Sequence, residues 1–410
     1  MATAELPNNC DLNGLALSLA SAAASESNWS EISIDLPVNG FIDVGAMAFL
    51  CAWASREAQE GRTVRLRGDA SSLGYLARMD LHENIGVEFE AGNRLDETGR
   101  FLPLKQIDSD DDVFNTVNAI CDLVLHQFDN ANEFLPALEW AVNEIIDNIV
   151  IHSETVIPGV VCAQYFPNKH RLDVGICDLG RGIFASLATT RQLWSHGDAV
   201  TTALQRGVTR DPDVGQGNGM AGALEIAKSN GGLFHVWTGD VLFRAEKGAE
   251  RGFVKIPEIP GTGVKFSLDT RRPVDLSSTW IAGGDWTFIN IEAERIQESE
   301  GVNISEACIN TGSRPPAERL RRKLLALLPE MEVPLVLDFK DVRAASSSFL
   351  DELLGRMAFQ HELGDELFKT RIRIVGMNET MRNMANTVIA QRLGRGPIGA
   401  AEETSVEKAR

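Results

Sequence analysis

The stretch NEIIDNIVIHS, residues 143–153, narrows the folding options of this chain more than any other segment. It is largely Ile and Val, as a helix lying on a core must be, yet it carries Glu144, Asp147, Asn148 and His152. Glu144, Asn148 and His152 follow one another at spacings of four, so on a helix they share one face. A carboxylate, an amide and an imidazole in file beside a core call for partners or a ligand.

Two glycine-rich stretches lie downstream. DLGRGI (178–183) follows the apolar strand pattern RLDVGIC, and GQGNGMAG (215–222) runs into a helix pattern. Glycine lets the backbone approach a ligand closely and adopt positive φ. A glycine-rich turn entering a helix presents free N–H groups that suit a polyphosphate. Each of these stretches alone also occurs in ordinary loops. A third small box, GTGVKFSL (261–268), precedes the last strand pattern of this region.

At 410 residues the chain is too long for one ordinary core, so two or three domains are expected. With 44% hydrophobic and 24% charged residues it reads as globular, and no apolar run approaches the 18 residues of a membrane span. The start MATAELPNNCDLNG lacks the basic and apolar regions of a secretion signal. The net charge of −19 argues against a broad nucleic-acid surface. RPPAERLRRKLL (314–325) reads as the solvated face of a helix, with a local basic patch as the alternative. The six cysteines (10, 51, 121, 162, 177, 308) contain no C-x-x-C pair, which offers neither a zinc site nor a disulfide framework. A reduced, cytoplasmic protein is the expectation.

Strand and helix patterns alternate, which implies an α/β fold. After an N-terminal segment (1–27), residues 28–92 form a small α/β module, with EISIDLPV and RTVRLRG as strands around an apolar helix. The polar, proline-interrupted segment 93–112 reads as a linker. Residues 113–272 begin with a long helical stretch and continue with strands, the glycine loops and a helix. Residues 285–393 repeat the first theme, with PLVLDFKDV and TRIRIVGM as strands, and 394–410 read as a frayed tail.

The order of the motifs, an acid-and-amide helix, then D-x-G-x-G, then G-x-G-x-G, resembles the GHKL ATPase superfamily over about residues 113–270. The resemblance implies an α+β sandwich of helices on a mixed sheet, with ATP and Mg²⁺ as its ligands. It implies that Asn148 holds Mg²⁺ through its side-chain oxygen and that Glu144 is the general base. Asp178 would accept the adenine amino group, and Gly180 and Gly182 would let the chain pass under the ring. Residues 184–214 would form a lid in which Arg206 and Arg210 could reach phosphate. Gly215, Gly217, Asn218 and Gly219 would line the triphosphate, and Thr262 sits in the family's Gly-Thr turn. His152 looks like the anti-sigma-factor serine kinases, whereas Asp147 looks like the gyrase side. A histidine autokinase would need an upstream phosphoacceptor. Near the domain only His82 and His126 qualify, and LVLHQFDN lacks the acid that normally follows.

VPLVLDFKDVRAASSSFLDELLG (333–355) resembles a STAS-like domain, in which a strand ends in a serine-bearing loop and a helix follows. Ser346, Ser347 and Ser348 occupy that loop. A helix N-cap is the simpler role and phosphorylation the alternative. The antagonists of this fold usually have Ser-Gly there, whereas this chain has Phe349. Residues 28–90 resemble the same fold more weakly, through RTVRLRG, GYLARMDL and the element order.

The expected function is therefore a Mg-ATP-dependent conformational switch, as in bacterial signalling or stress-response components. Its protein partners would be met through the STAS-like modules, with a homodimer as one expected assembly. The alternatives are a serine/threonine kinase of the anti-sigma type and an ATP-sensing scaffold without hydrolysis.

Overall fold

The computed structural model describes residues 2–26, 29–86, 99–125, 134–205, 208, 219–246, 252–274, 301–308, 311–312, 314–330, 334–342, 345–359 and 362–393. The chain divides into two compact units, 1–274 and 275–410.

The first unit opens with β1 (Ala2–Glu5), β2 (Asn9–Cys10) and α1 (Leu12–Ser25), followed by β3 (Glu31–Asp35), β4 (Phe41–Ile42) and α2 (Val44–Gln59). Then come β5 (Thr63–Arg67), α3 (Ala70–Arg78) and α4 (Leu81–Ile85). Strands β1, β3 and β5 form a parallel sheet in that order. Three aspartates start the helices. Asp11 accepts from the N–H of Gly14 at 2.9 Å, Asp43 from Ala46 at 2.9 Å, and Asp69 from Ser71 and Ser72. Each side chain satisfies a backbone donor that the first helical turn leaves open. Residues 2–25, expected to be a segment preceding the module, supply its edge strand and first helix. The register Ala2 to Ile32 shows why: β1 has no partner until β3 arrives some 30 residues later.

The segment 93–112 is likewise not all linker. Its described part carries β6 (Phe101–Ile107), an edge strand of the main sheet, and the start of α5 (Asp110–Leu125). Next follow α6 (Leu135–His152), β7 (Gly159–Phe166), β8 (Arg171–Asp178), α7 (Gly182–Leu187) and α8 (His196–Ala203). The unit ends with α9 (Gly219–Asn230), β9 (Leu233–Glu246) and β10 (Gly252–Asp269). The main sheet runs β6-β7-β8-β10-β9, and every neighbouring pair is antiparallel.

Both faces of this sheet are covered, and for that reason β7 and β8 are buried almost throughout. Helices α5, α6 and α9 pack in sequence on one face. The other face takes α2, whose residues 44–54 are all buried. Alternate residues of the central strands, including Val160, Cys162 and Cys177, share one core with Ile32, Ile34 and Leu66 of the parallel sheet. Helix α2 is thus apolar all round because it serves two sheets. Its first turn lies directly on β8, where a Cβ on Gly175 would overlap the carbonyl oxygen of Val44. Lys265 of β10 anchors the same turn, reaching Asp43 at 2.9 Å. The small module and the main sheet therefore make one unit rather than two separate domains.

The second unit contains β11 (Gly301–Asn303), α10 (Ile304–Ala307), α11 (Arg314–Leu327), β12 (Leu335–Asp338) and α12 (Ser347–Leu350). Helix α12 continues through one π turn, Asp351–Gly355, into α13 (Arg356–Ala358). It ends with α14 (Asp365–Arg371), β13 (Ile372–Val375) and α15 (Glu379–Arg392). The strands are parallel in the order β11-β12-β13, repeating the sequential order of β1, β3 and β5. The tail 394–410 lies outside the described residues.

The expectation of a solvated basic face on α11 holds for part of the helix, and Arg314 and Arg321 depart from it. Arg314 reaches Asp351 at 2.9 Å and Glu352 at 3.0 Å, and Arg321 reaches Glu352 at 2.8 Å and also pairs with Glu362. Arg392 closes the cluster with two bonds to Asp351. Arg319, Arg322 and Lys323 fit the expectation: all three are exposed, Arg322 at 73% of its side chain. Buried guanidinium groups persist only because the carboxylates are buried with them.

Candidate functional site

Helix α6 presents the opening motif in an informative way. Among residues 141–149 only Glu144 and Asn148 are not buried; Asn143 and Asp147 beside them are each 5% exposed. Two of the positions expected from the spacing are therefore the partly exposed residues of this buried stretch. The amide nitrogen of Asn148 donates to the carbonyl oxygen of Glu144 at 2.8 Å, which leaves the amide oxygen as the side chain's acceptor. The side chain of His152 lies outside the described residues.

Glu144 stands at the start of α9. A Cβ on Gly219, the first residue of that helix, would come within 2.8 Å of its carboxylate. Glycine at 219 thus lets a helix N-terminus approach a carboxylate, an arrangement the helix dipole favours. The loop before it belongs to the expected phosphate-binding run. Gly215, Gly217 and Asn218 lie outside the described residues, as do His126, Arg206 and Arg210.

The DLGRGI turn closes the same end of the sheet. Asp178, the last residue of β8, is 9% exposed and accepts from the N–H of Gly180 at 2.8 Å. Thr262 stands opposite it in the β8–β10 register, and its backbone N–H also bonds the carboxylate. Burial pushes the Asp178 carboxyl up to about 6, and these two donors offset only part of that effect. Among the described residues no cation pairs with it.

Gly180 has a local reason as well. The turn lies against the end of α6, with Arg181 N–H donating to the carbonyl oxygen of Ser153 at 3.0 Å, and a Cβ at 180 would overlap that oxygen. Gly182 takes φ +73 where the chain turns into α7. Thr238, which the sequence did not single out, holds this turn to β10. Its hydroxyl donates to Gly261 at 2.9 Å and accepts from the N–H of Ile183 at 3.2 Å. In VWTGDV it reads as an ordinary strand residue, so only the fold reveals its role. Arg181 and Glu154 add an ion pair across the same junction.

Glu144 and Asn148 are thus the partly exposed positions within 141–149 of α6, while Asp178, Gly180, Gly182 and Thr262 gather where β8 and β10 meet the end of that helix. Among the described residues no three His, Cys, Asp or Glu side chains are grouped to hold a metal, and no helix is long and apolar enough to cross a membrane. In the second unit Ser346 is a buried N-cap. Its hydroxyl accepts from the N–H of Phe349 at 3.0 Å, and the residue is 3% exposed. The side chains of Ser347 and Ser348 lie outside the described residues.

The fold is α/β, with parallel three-stranded sheets in both units and a five-stranded antiparallel sheet in the first. Within the second unit, residues 316–382 match the family model of a STAS-like domain of unknown function (DUF4325). No curated protein matches the chain.

Proposed function

We propose that the first unit binds Mg-ATP in the manner of the GHKL ATPases and acts as a conformational switch, its STAS-like modules meeting a protein partner. The observation that carries this reading is Asp178, a buried carboxylate with two backbone N–H donors and, among the described residues, no paired cation. Such a group has unused acceptor capacity, and the exocyclic amino group of adenine is a donor suited to it. On α6, Asn148 keeps an amide oxygen as an acceptor, and Glu144 sets a carboxylate beside a helix N-terminus.

These residues fit a magnesium nucleotide. Magnesium favours oxygen ligands, retains waters and takes the rest of its shell from substrate phosphates, so a single amide oxygen is a suitable protein contribution. Bound there, the ion would neutralise charge on the phosphates. Glu144 would accept a proton from water as its oxygen attacks the terminal phosphorus and the bond to the ADP oxygen breaks. Burial of Ser346 weighs against that hydroxyl as a phosphate acceptor in this chain.

Calorimetric titration of the full chain with ATP, with and without magnesium, tests the reading beside assays of phosphate release. ATP should bind, and Asn148→Ala should remove the effect of magnesium on binding and turnover. No binding by the parent protein would refute the proposal. Transfer of γ-phosphate to a serine of a STAS-domain protein, without phosphate release, would replace hydrolysis by the kinase alternative.

A further inference from the structure

The β9–β10 hairpin extends beyond the sheet it closes. Its strands have 14 and 18 residues, against 8 each in β7 and β8. The ladder slips between Lys255 and Thr262, opposite Gly239, which has φ +57. Such irregularities bend a strand pair and redirect it. Past that bend, residues 240–246 and 252–259 form an arm with two occupied sides.

One side belongs to the N-terminal module. Leu242 and Ile256 share its core, and α1 lies against β10. Arg244 donates to Asp11, the N-cap of α1, at 2.9 Å. The other side carries α8, which sits in the segment joining the two glycine motifs. The ring of His196 rests on Gly239, where a Cβ would overlap it, and its Nδ1 lies 2.8 Å from the Asp240 carboxylate. Phe253 stacks near Phe243 at 5.3 Å and faces Gly197 of α8, 3.9 Å from the position of a Cβ there. Neighbouring positions separate the two sets past Asp240: Arg244 reaches Asp11, and the cross-strand pair Phe243 and Phe253 lies on the opposite face.

We propose that this arm is a transmission element coupling the position of α8 to α1, so that the N-terminal module reports the position of α8. The coupling rests on the geometry of the arm alone; its use as a nucleotide reporter rests on the function proposed above. A paired two-stranded arm transmits displacement because its backbone hydrogen bonds resist shear. His196 and Arg244 are its two contacts of defined chemistry, one on each side.

Hydrogen exchange on the full chain without nucleotide tests the coupling. His196→Ala should speed exchange in α8 and also in α1, by about two- to tenfold, the equivalent of one lost hydrogen bond. His196→Gln, which retains a donor to Asp240, should restore the parent rates in both helices. Arg244→Met should speed α1 and, because coupling is reciprocal, α8 as well, and in that background His196→Ala should add nothing further in α1. Faster exchange in α8 with parental exchange in α1 would overturn the coupling, as would an undiminished His196→Ala effect on α1 in the Arg244→Met background. With ATP added to the parent, slower exchange in α8 and α1 together supports the reporter role. Calorimetric ATP binding with α1 unchanged overturns it. Absence of ATP binding would overturn the nucleotide reading and the reporter role, while the variant data still decide the coupling.

Discussion

Replacing Asp178 by asparagine removes a buried charge while keeping an acceptor oxygen for the N–H groups of Gly180 and Thr262. In the folded chain this carboxyl ionises near 6, against an ordinary value of 3.8, because burial disfavours its charge. Between those values the folded chain holds a proton that the unfolded chain has released. Stability therefore falls as pH rises through this window, and the loss is complete above it. At 1.36 kcal/mol per pH unit, the difference between about 6 and 3.8 amounts to about 3 kcal/mol. The variant lacks this titration. Urea unfolding of the ligand-free protein from pH 3.5 to 8 should show the variant gaining on the parent by about 3 kcal/mol between roughly pH 4 and 6, then holding level. A stability gap that is flat across that range would refute the buried-charge argument. ATP affinity should move the opposite way. Loss of a hydrogen bond to a charged acceptor, about 1.5–3 kcal/mol, weakens binding roughly 10- to 100-fold. Parental affinity in the variant would remove Asp178 from the nucleotide site.

Glu144→Gln should retain or tighten ATP binding, because a negative charge is lost beside the phosphates, and should slow hydrolysis by on the order of 10²–10⁴-fold. Single-turnover phosphate release measures this, and a parental rate would end the catalytic assignment. Gly175→Ala should drive a methyl group into the carbonyl of Val44, lift α2 from the main sheet and cost about 1–3 kcal/mol. Limited proteolysis should then cut the N-terminal module faster. Asp351→Asn should cost the second unit about 3–5 kcal/mol at neutral pH, since Arg314 and Arg392 lose their buried partner. Burial raises the Asp351 carboxyl, but Arg392 and Arg314 outweigh it and hold it below its ordinary value. Its contribution is therefore present above pH 3.8 and is lost as pH falls through its lower folded value. The difference between variant and parent should close on acidification. Scanning calorimetry of both proteins checks it.

The sequence by itself determined what depends on near neighbours along the chain. Aspartate side chains at 11, 43 and 69 cap helices by satisfying donors two or three residues away, a local signal that our reading of the sequence did not use. The shared face of Glu144 and Asn148 follows from helical geometry, and Asp178 stands at a strand end because DLGRGI breaks an apolar run. Tertiary structure alone decided whatever pairs distant segments. Nothing local in ATAE announces that it will lie beside EISID, since a strand gains its hydrogen bonds only from its neighbour. Helix α2 looks like the buried helix of a small module, and only packing shows that it also covers the main sheet. Thr238 acquires its role from Gly261 and Ile183, which the chain brings to it from opposite directions. The same holds for Arg314 and Arg321. An arginine is solvated or buried according to whether a carboxylate meets it, and theirs come from residues 351 and 352, more than 30 positions away.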